Sequence, residues 1–166
     1  MAEVTGKIAR KYMAHFLDTS FTHKLESAVW GRIGKDLEEY NVELNPDTET
    51  KKNILGETSI LISSYEKTAS VEPYYAEKGA ALFARLQNII DNQLVLDDLK
   101  SDVIEVKLWE GEANGTTFPA YREDVYIEVT SYGGDTTGYQ IPFTLHYTGV
   151  KVKGTFDVAT KKFTAE

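Results

Sequence analysis

The stretch Tyr132-Gly133-Gly134-Asp135-Thr136-Thr137-Gly138-Tyr139-Gln140-Ile141-Pro142-Phe143 constrains the chain more than any other. Before it, Val125, Ile127 and Val129 alternate with Tyr126, Glu128 and Thr130; after it, Ile141, Phe143, Leu145 and Tyr147 alternate with Pro142, Thr144 and His146. A period of two is the mark of a half-buried strand. Between the two runs, glycines supply positive φ, and Asp and Thr cap the backbone locally, so a tight reversal is expected. A third alternating run, Val150 to Val158, turns through Ala159 to Lys162 into Phe163. The C-terminal part, about 123–165, therefore reads as an antiparallel meander. Pro142 cannot donate to a ladder, which predicts a bulge or an edge there.

Upstream, Leu37 to Asn45 predicts another strand, with Tyr40, Val42 and Leu44 inward and Glu39, Asn41 and Glu43 outward. Pro46 and Asp47 end it and begin a long excursion, about 46–68, which contains Ile54, Leu55, Ile60, Leu61 and Ile62. Such a segment is too apolar for an idle loop. Two readings stand: an extended hairpin that covers its own core, or a surface buried by a neighbouring molecule. Ala69 to Tyr75 reads as a strand. Leu82, Phe83, Leu86, Ile89 and Ile90 then recur at helical spacing and predict one helix over about 79–93, with Arg85, Gln87, Asn88 and Asp91 facing away. Val103 to Glu110 reads as a strand with Ile104, Val106 and Leu108 inward, and with Glu105, Lys107 and Trp109 outward. Residues 1–28 show neither period cleanly.

The length of 166 residues suits a single domain with a real core. Charge is uneven. Residues 25–149 hold ten basic and twenty-two acidic groups, whereas residues 1–24 and 150–166 each hold four basic and two acidic. An acidic body repels phosphate, which argues against conventional DNA binding. With no cysteine, disulfides and thiol chemistry are excluded. No signal peptide or membrane-length apolar run is visible, so synthesis in the cytoplasm and no membrane anchor are expected. His15 and His23 have no carboxylate or second histidine at ligand spacing, so packed or solvated histidines are expected and no metal site is predicted. No nucleophile motif, phosphate loop or zinc motif occurs, and no cofactor or catalytic residue is predicted; the chain does not read as an enzyme.

Several motifs in order carry a resemblance: Trp30-Gly31-Arg32-Ile33-Gly34-Lys35-Asp36; Asn45-Pro46-Asp47 through Ile54-Leu55-Gly56-Glu57-Thr58; Val71-Glu72-Pro73-Tyr74-Tyr75-Ala76; Ser131-Tyr132-Gly133-Gly134-Asp135-Thr136; and Gly154-Thr155 with Phe163-Thr164-Ala165. From Val29 to Ala165 the chain resembles the major tail tube protein of long-tailed, siphovirus-type bacteriophages of Gram-positive hosts. One departure is Gly79-Ala80-Ala81, where the family pattern has an acidic residue near the helix start.

The resemblance implies a mainly β fold, an antiparallel sandwich or barrel with one flanking helix, an N-terminal arm over about 1–28 and the long extended hairpin. It implies a virion protein that assembles into stacked hexameric rings. The resulting tube encloses the tape-measure protein, conducts genomic DNA without reading its sequence, and meets tail terminator and distal tail or baseplate proteins. On that reading Ile54, Leu55 and Ile60 make inter-ring contacts, and Glu39, Glu43 and Glu72 line the lumen. The alternatives are a monomeric β-sandwich module that binds, for instance, carbohydrate, and the tube protein of a contractile tail or secretion-type machine.

Overall fold

The structure, a computed structural model, describes residues 4–20, 23–112 and 114–166. In chain order the strands are β1 (Met13–Asp18), β2 (Trp30–Arg32), β3 (Val42–Glu43), β4 (Pro46–Lys52), β5 (Thr58–Tyr65) and β6 (Thr68–Val71). Helix α1 (Ala81–Asn92) follows, then β7 (Lys100–Lys107), β8 (Thr117–Val129), β9 (Gly133–Asp135), β10 (Gly138–Gln140), β11 (Phe143–Asp157) and β12 (Lys162–Ala165). One antiparallel sheet runs in the order β2-β1-β7-β8-β11-β6-β3. Along the outer edge of β11, β6 pairs with its N-terminal part and β12 with its C-terminal part.

The sheet buries apolar side chains on both faces. On one face Leu17, Val103, Val125, Ile127, Phe143 and Leu145 meet Leu86 and Ile89 of α1. On the other, Ala14, Phe16, Ile104, Val106, Phe118, Ala120 and Phe156 gather around Trp30 and Phe163. Phe16 and Phe156 have ring centroids 4.8 Å apart, yet their strands are separated in the sheet by β7 and β8. Three strand spacings in a flat sheet would put those backbones ~14 Å apart. The sheet therefore curls strongly, and the second cluster fills its concave side as a half-barrel.

The curl rests on the long pair β8–β11. From Tyr147↔Val125 to Lys151↔Glu123, β11 advances by four residues while β8 advances by two. The two surplus residues bulge at Thr148-Gly149-Val150, where Gly149 takes a φ of 93°. Bulges of this kind sharpen twist and bend a strand. The expected separate strand Val150 to Val158 is thus the second half of one continuous strand, and Pro142 lies just before that strand rather than inside it.

Helix α1 ends where Gln93 turns left-handed, with φ 47° and its N–H bonded to the Ile89 carbonyl. Leu86 and Ile89 are buried, and Leu82, Phe83 and Ile90 pack partly against the same cluster. Arg85 corrects the predicted phase. It is only 3% exposed and donates to the Ser20 and Lys100 carbonyls, the latter at 2.7 Å. The buried arc is centred between Leu82 and Ile89, so Arg85 closes one flank as Phe83 and Ile90 close the other.

Other expectations also change. Within the expected arm, residues 1–3 and 21–22 lie outside the described residues, but Met13–Asp18 is a sheet strand buried from Ala14 onward. The strand expected over Leu37 to Asn45 contracts to Val42–Glu43; Tyr40 is buried as predicted, whereas Leu44 is 52% exposed. The strand expected to Tyr75 ends at Val71. The one expected to Glu110 ends at Lys107, with Leu108–Glu110 in a 3-10 turn that carries Trp109. The glycine-rich reversal is itself a small hairpin, β9–β10. There a Cβ on Gly134, at φ 114°, would lie 2.3 Å from the Gly138 carbonyl oxygen, so only glycine fits.

Candidate assembly surfaces

The excursion after Pro46 forms the hairpin β4–β5, which among the described residues pairs with no other strand. Its register runs from Pro46↔Tyr65 to Lys52↔Thr58. At its tip the Asn53 carboxamide oxygen accepts from the Leu55 and Glu57 backbone N–H groups, and Gly56 takes a φ of 81°. Every residue from Pro46 to Tyr65 is exposed, and Ile54 is 102% exposed. The reading in which this hairpin covers its own core is therefore corrected: among the described residues it covers no core. Cross-strand pairing puts Thr48 beside Ile62 and Thr50 beside Ile60 on one face, with Glu49 beside Leu61 and Lys51 beside Ser59 on the other. One face is thus aliphatic and threonine-rich, and the tip adds Ile54 and Leu55.

A second surface is the polar side of the outer sheet. Where Ala69, Val71, Ile127, Phe143 and Leu145 point to the helix-side core, their alternating neighbours point the other way. Glu43 pairs with Thr68, Ser70 with Thr144, Thr144 with Glu128, and His146 with both Thr68 and Tyr126. Paired residues share a face. The result is a continuous polar strip in which His146 Nε2 lies 3.0 Å from Glu128, and the Ser70 and Thr144 hydroxyls lie 3.3 Å apart. Glu43 belongs to this strip, and the exposed Glu72 continues the Ser70 side just past the end of β6. Glu39 lies apart, in coil before β3, where it accepts from the Asn41 side chain. Glu128 was missing from the predicted acidic set, although its alternation with Ile127 and Val129 signalled it.

Ionic groups also penetrate the sheet. On the helix-side face His15 Nε2 lies 3.1 Å from Glu105, whose pKa is held down by that bond. Lys67 reaches the buried Glu123 at 2.7 Å. Burial pushes the Tyr40 hydroxyl up to about 12. On the opposite face Asp102 pairs in register with Asp124. Burial, then a hydrogen bond with Asp124, push Asp102 up to about 7 against the pull of Arg122. Burial lowers the Arg85 pKa, opposed by the charges of Asp18 and Asp102. No local pattern signals these partners, which lie up to ninety residues apart.

Both ends of the main sheet are short strands, β2 and β3, and among the described residues neither has a partner on its outer side. No helix among the described residues is long and apolar enough to cross a membrane.

No protein-family model matches the chain, and no curated protein matches it. Among solved structures, the chain is similar to that of the SPP1 tail tube determined by solid-state NMR and cryo-EM, with a TM-score of 0.54 and 18% sequence identity. The superposition covers 89% of this chain and 78% of the SPP1 chain. A curled antiparallel sheet with one helix, matched over nearly its whole length, gives this protein a phage tail tube fold.

Proposed function

We propose that this protein is a tail tube subunit: a structural virion component that stacks as hexameric rings into a hollow tube. The observation that carries this reading is the β4–β5 hairpin, whose aliphatic side chains are exposed on their own subunit. Burying an isoleucine or leucine contributes about 1.5–3 kcal/mol. Ile54, Leu55, Ile60, Leu61 and Ile62 together therefore supply a driving force that survives the entropy cost of association. The likeness to the SPP1 tail tube supports the same reading. Unpaired β2 and β3 edges suit strand addition between neighbours within a ring. The role is structural rather than catalytic.

In this reading the polar strip faces the bore. Glu43 and Glu72, joined by Glu128, form rings of negative charge within about one Debye length, ~8 Å, of passing DNA. Lys and Arg would instead bind phosphate through counterion release and slow transit. The tape-measure protein occupies the same bore before the genome does. Terminator and distal tail proteins close its ends.

Size-exclusion chromatography and negative-stain microscopy of the concentrated protein test the assembly. Rings or tubes are expected, and a monodisperse monomer at all concentrations would favour the binding-module alternative. For the bore, Glu43→Lys combined with Glu72→Lys is expected to leave tubes intact while slowing DNA ejection. Ejection at the wild-type rate would remove the strip from the lumen.

A further inference from the structure

Beneath the concave face, at the end away from the aromatic cluster, three aspartates come into line. Asp102 on β7 and Asp124 on β8 are direct cross-strand partners. On the other side of β7, Leu17 pairs with Val103, so Asp18 is next in register opposite Asp102. Like charges directly opposite in a sheet repel one another. Here the repulsion is concentrated by burial, with Asp18 fully buried and Asp102 2% exposed.

Two of the neighbouring cations pair with the row only loosely. Arg122 Nη1 lies 3.5 Å from Asp102 Oδ1, and Lys100 Nζ lies 3.7 Å from Asp124. The Oδ1 atom of Asp102, on its Arg122 side, is buried and receives no hydrogen bond among the described residues; the same holds for Asp18 Oδ2. His23 enters from the segment after β1, with Nε2 3.4 Å from Asp102 Oδ2 and likewise without a hydrogen bond. Its backbone is left-handed, at φ 51°, an uncommon conformation for a side-chain-bearing residue. One ligand atom each from His23, Asp102 and Asp124 lies within 4.8 Å of the other two.

We propose that His23, Asp102 and Asp124 form a binding site for a first-row divalent transition cation such as Zn²⁺ or Mn²⁺. One imidazole nitrogen with two carboxylate oxygens suits such ions. Calcium, by contrast, takes six to eight oxygen ligands. A bound cation would neutralise the aspartate row and engage His23 Nε2, which lacks a hydrogen bond among the described residues, together with the Asp102 Oδ2 that faces it. A cavity of about 390 Å³ is lined by His23, Asp97 and Asp98 on the outer side of the cluster. The cation would tie the segment after β1 to β7 and β8, and so act as a cross-link within the subunit. This site is independent of tube assembly.

The test is isothermal titration of the full chain with Zn²⁺, read alongside the thermal midpoint. One equivalent is expected to bind and raise the midpoint. His23→Ala and Asp124→Asn are each expected to weaken binding at least about tenfold. His146→Ala, at an exposed histidine elsewhere, is expected to leave the affinity unchanged. His23→Ala alters a partly exposed side chain, so it keeps the test valid should Asp124→Asn fail to fold. Absence of saturable binding by the wild type, or equal affinity in wild type and His23→Ala, would overturn the site and leave the cluster as a closed ion-pair network with Arg122 and Lys100.

Discussion

Helix α1 and the β4–β5 hairpin carry similar supplies of large apolar side chains and meet opposite fates. The helix offers Leu82, Phe83, Leu86, Ile89 and Ile90, all buried or partly buried on the sheet. The hairpin offers Ile54, Leu55, Ile60, Leu61 and Ile62, all exposed. The two differ in how local pairing and tertiary packing divide the work. The hairpin satisfies its backbone within itself, through seven cross-strand pairs, and needs no core to hold its hydrogen bonds. The helix must place its apolar stripe on something, and the sheet is there. Hydrophobicity alone therefore does not say where burial occurs; in this chain one supply is buried in the subunit and the other stays exposed on it.

The sharpest way to break this contrast is to make the hairpin polar. Ile60→Glu with Ile62→Glu is expected to abolish assembly in microscopy while shifting chemical denaturation by no more than about 0.5 kcal/mol. A large loss of folding stability would mean that the hairpin serves its own subunit after all. The converse change, Leu86→Ala, is expected to cost about 2–5 kcal/mol in urea unfolding, because its side chain is fully buried between helix and sheet.

Arg85→Ala sharpens the helix side of the comparison. It removes two hydrogen bonds from a buried guanidinium to backbone carbonyls, and about 1–3 kcal/mol of stability is expected to go with them. A negligible change would restore Arg85 to the solvent face where the apolar stripe alone had put it. The smallest effect concerns Glu105, whose pKa the His15 bond lowers. A depressed carboxylate stabilises the fold above its unfolded pKa, near 4.5, and that contribution is lost as pH falls through the lower folded value. Wild-type stability is expected to decline over that acidic window, and Glu105→Gln is expected to flatten part of the decline in pH-dependent thermal melts.

The helix was legible from the spacing of its apolar stripe, and the hairpin from the Pro46-Asp47 break and the aliphatic residues that follow it. Strand β1 was not. With Ala14, His15, Phe16, Leu17 and Asp18 all buried, no alternation remains for a period of two to reveal. Arg85 escaped for a related reason: a charge beside an apolar stripe reads as outward unless its carbonyl partners are known. The polar strip was half visible. Glu43 and Glu72 follow from alternation, but Glu39 was assigned by extending a strand that spans only Val42–Glu43. The aspartate row needs β1, β7 and β8 side by side, a neighbourhood that no local pattern encodes.

The surplus in β11 also sets a parity rule for the chain's length. Two extra residues leave the facing of every later side chain unchanged, so Val152, Gly154 and Phe156 still point inward. Removing both would shorten the bend yet keep inside and outside in place. Removing one would exchange them, exposing Phe156 and driving Lys153 or Thr155 into the slot of Gly154. In that slot a Cβ would lie 2.2 Å from the Thr164 carbonyl oxygen and 2.8 Å from the Phe163 ring. Insertions and deletions at Thr148-Gly149-Val150 are thus compatible with the fold in steps of two, and a single-residue frame there separates sequences that can close this half-barrel from those that cannot.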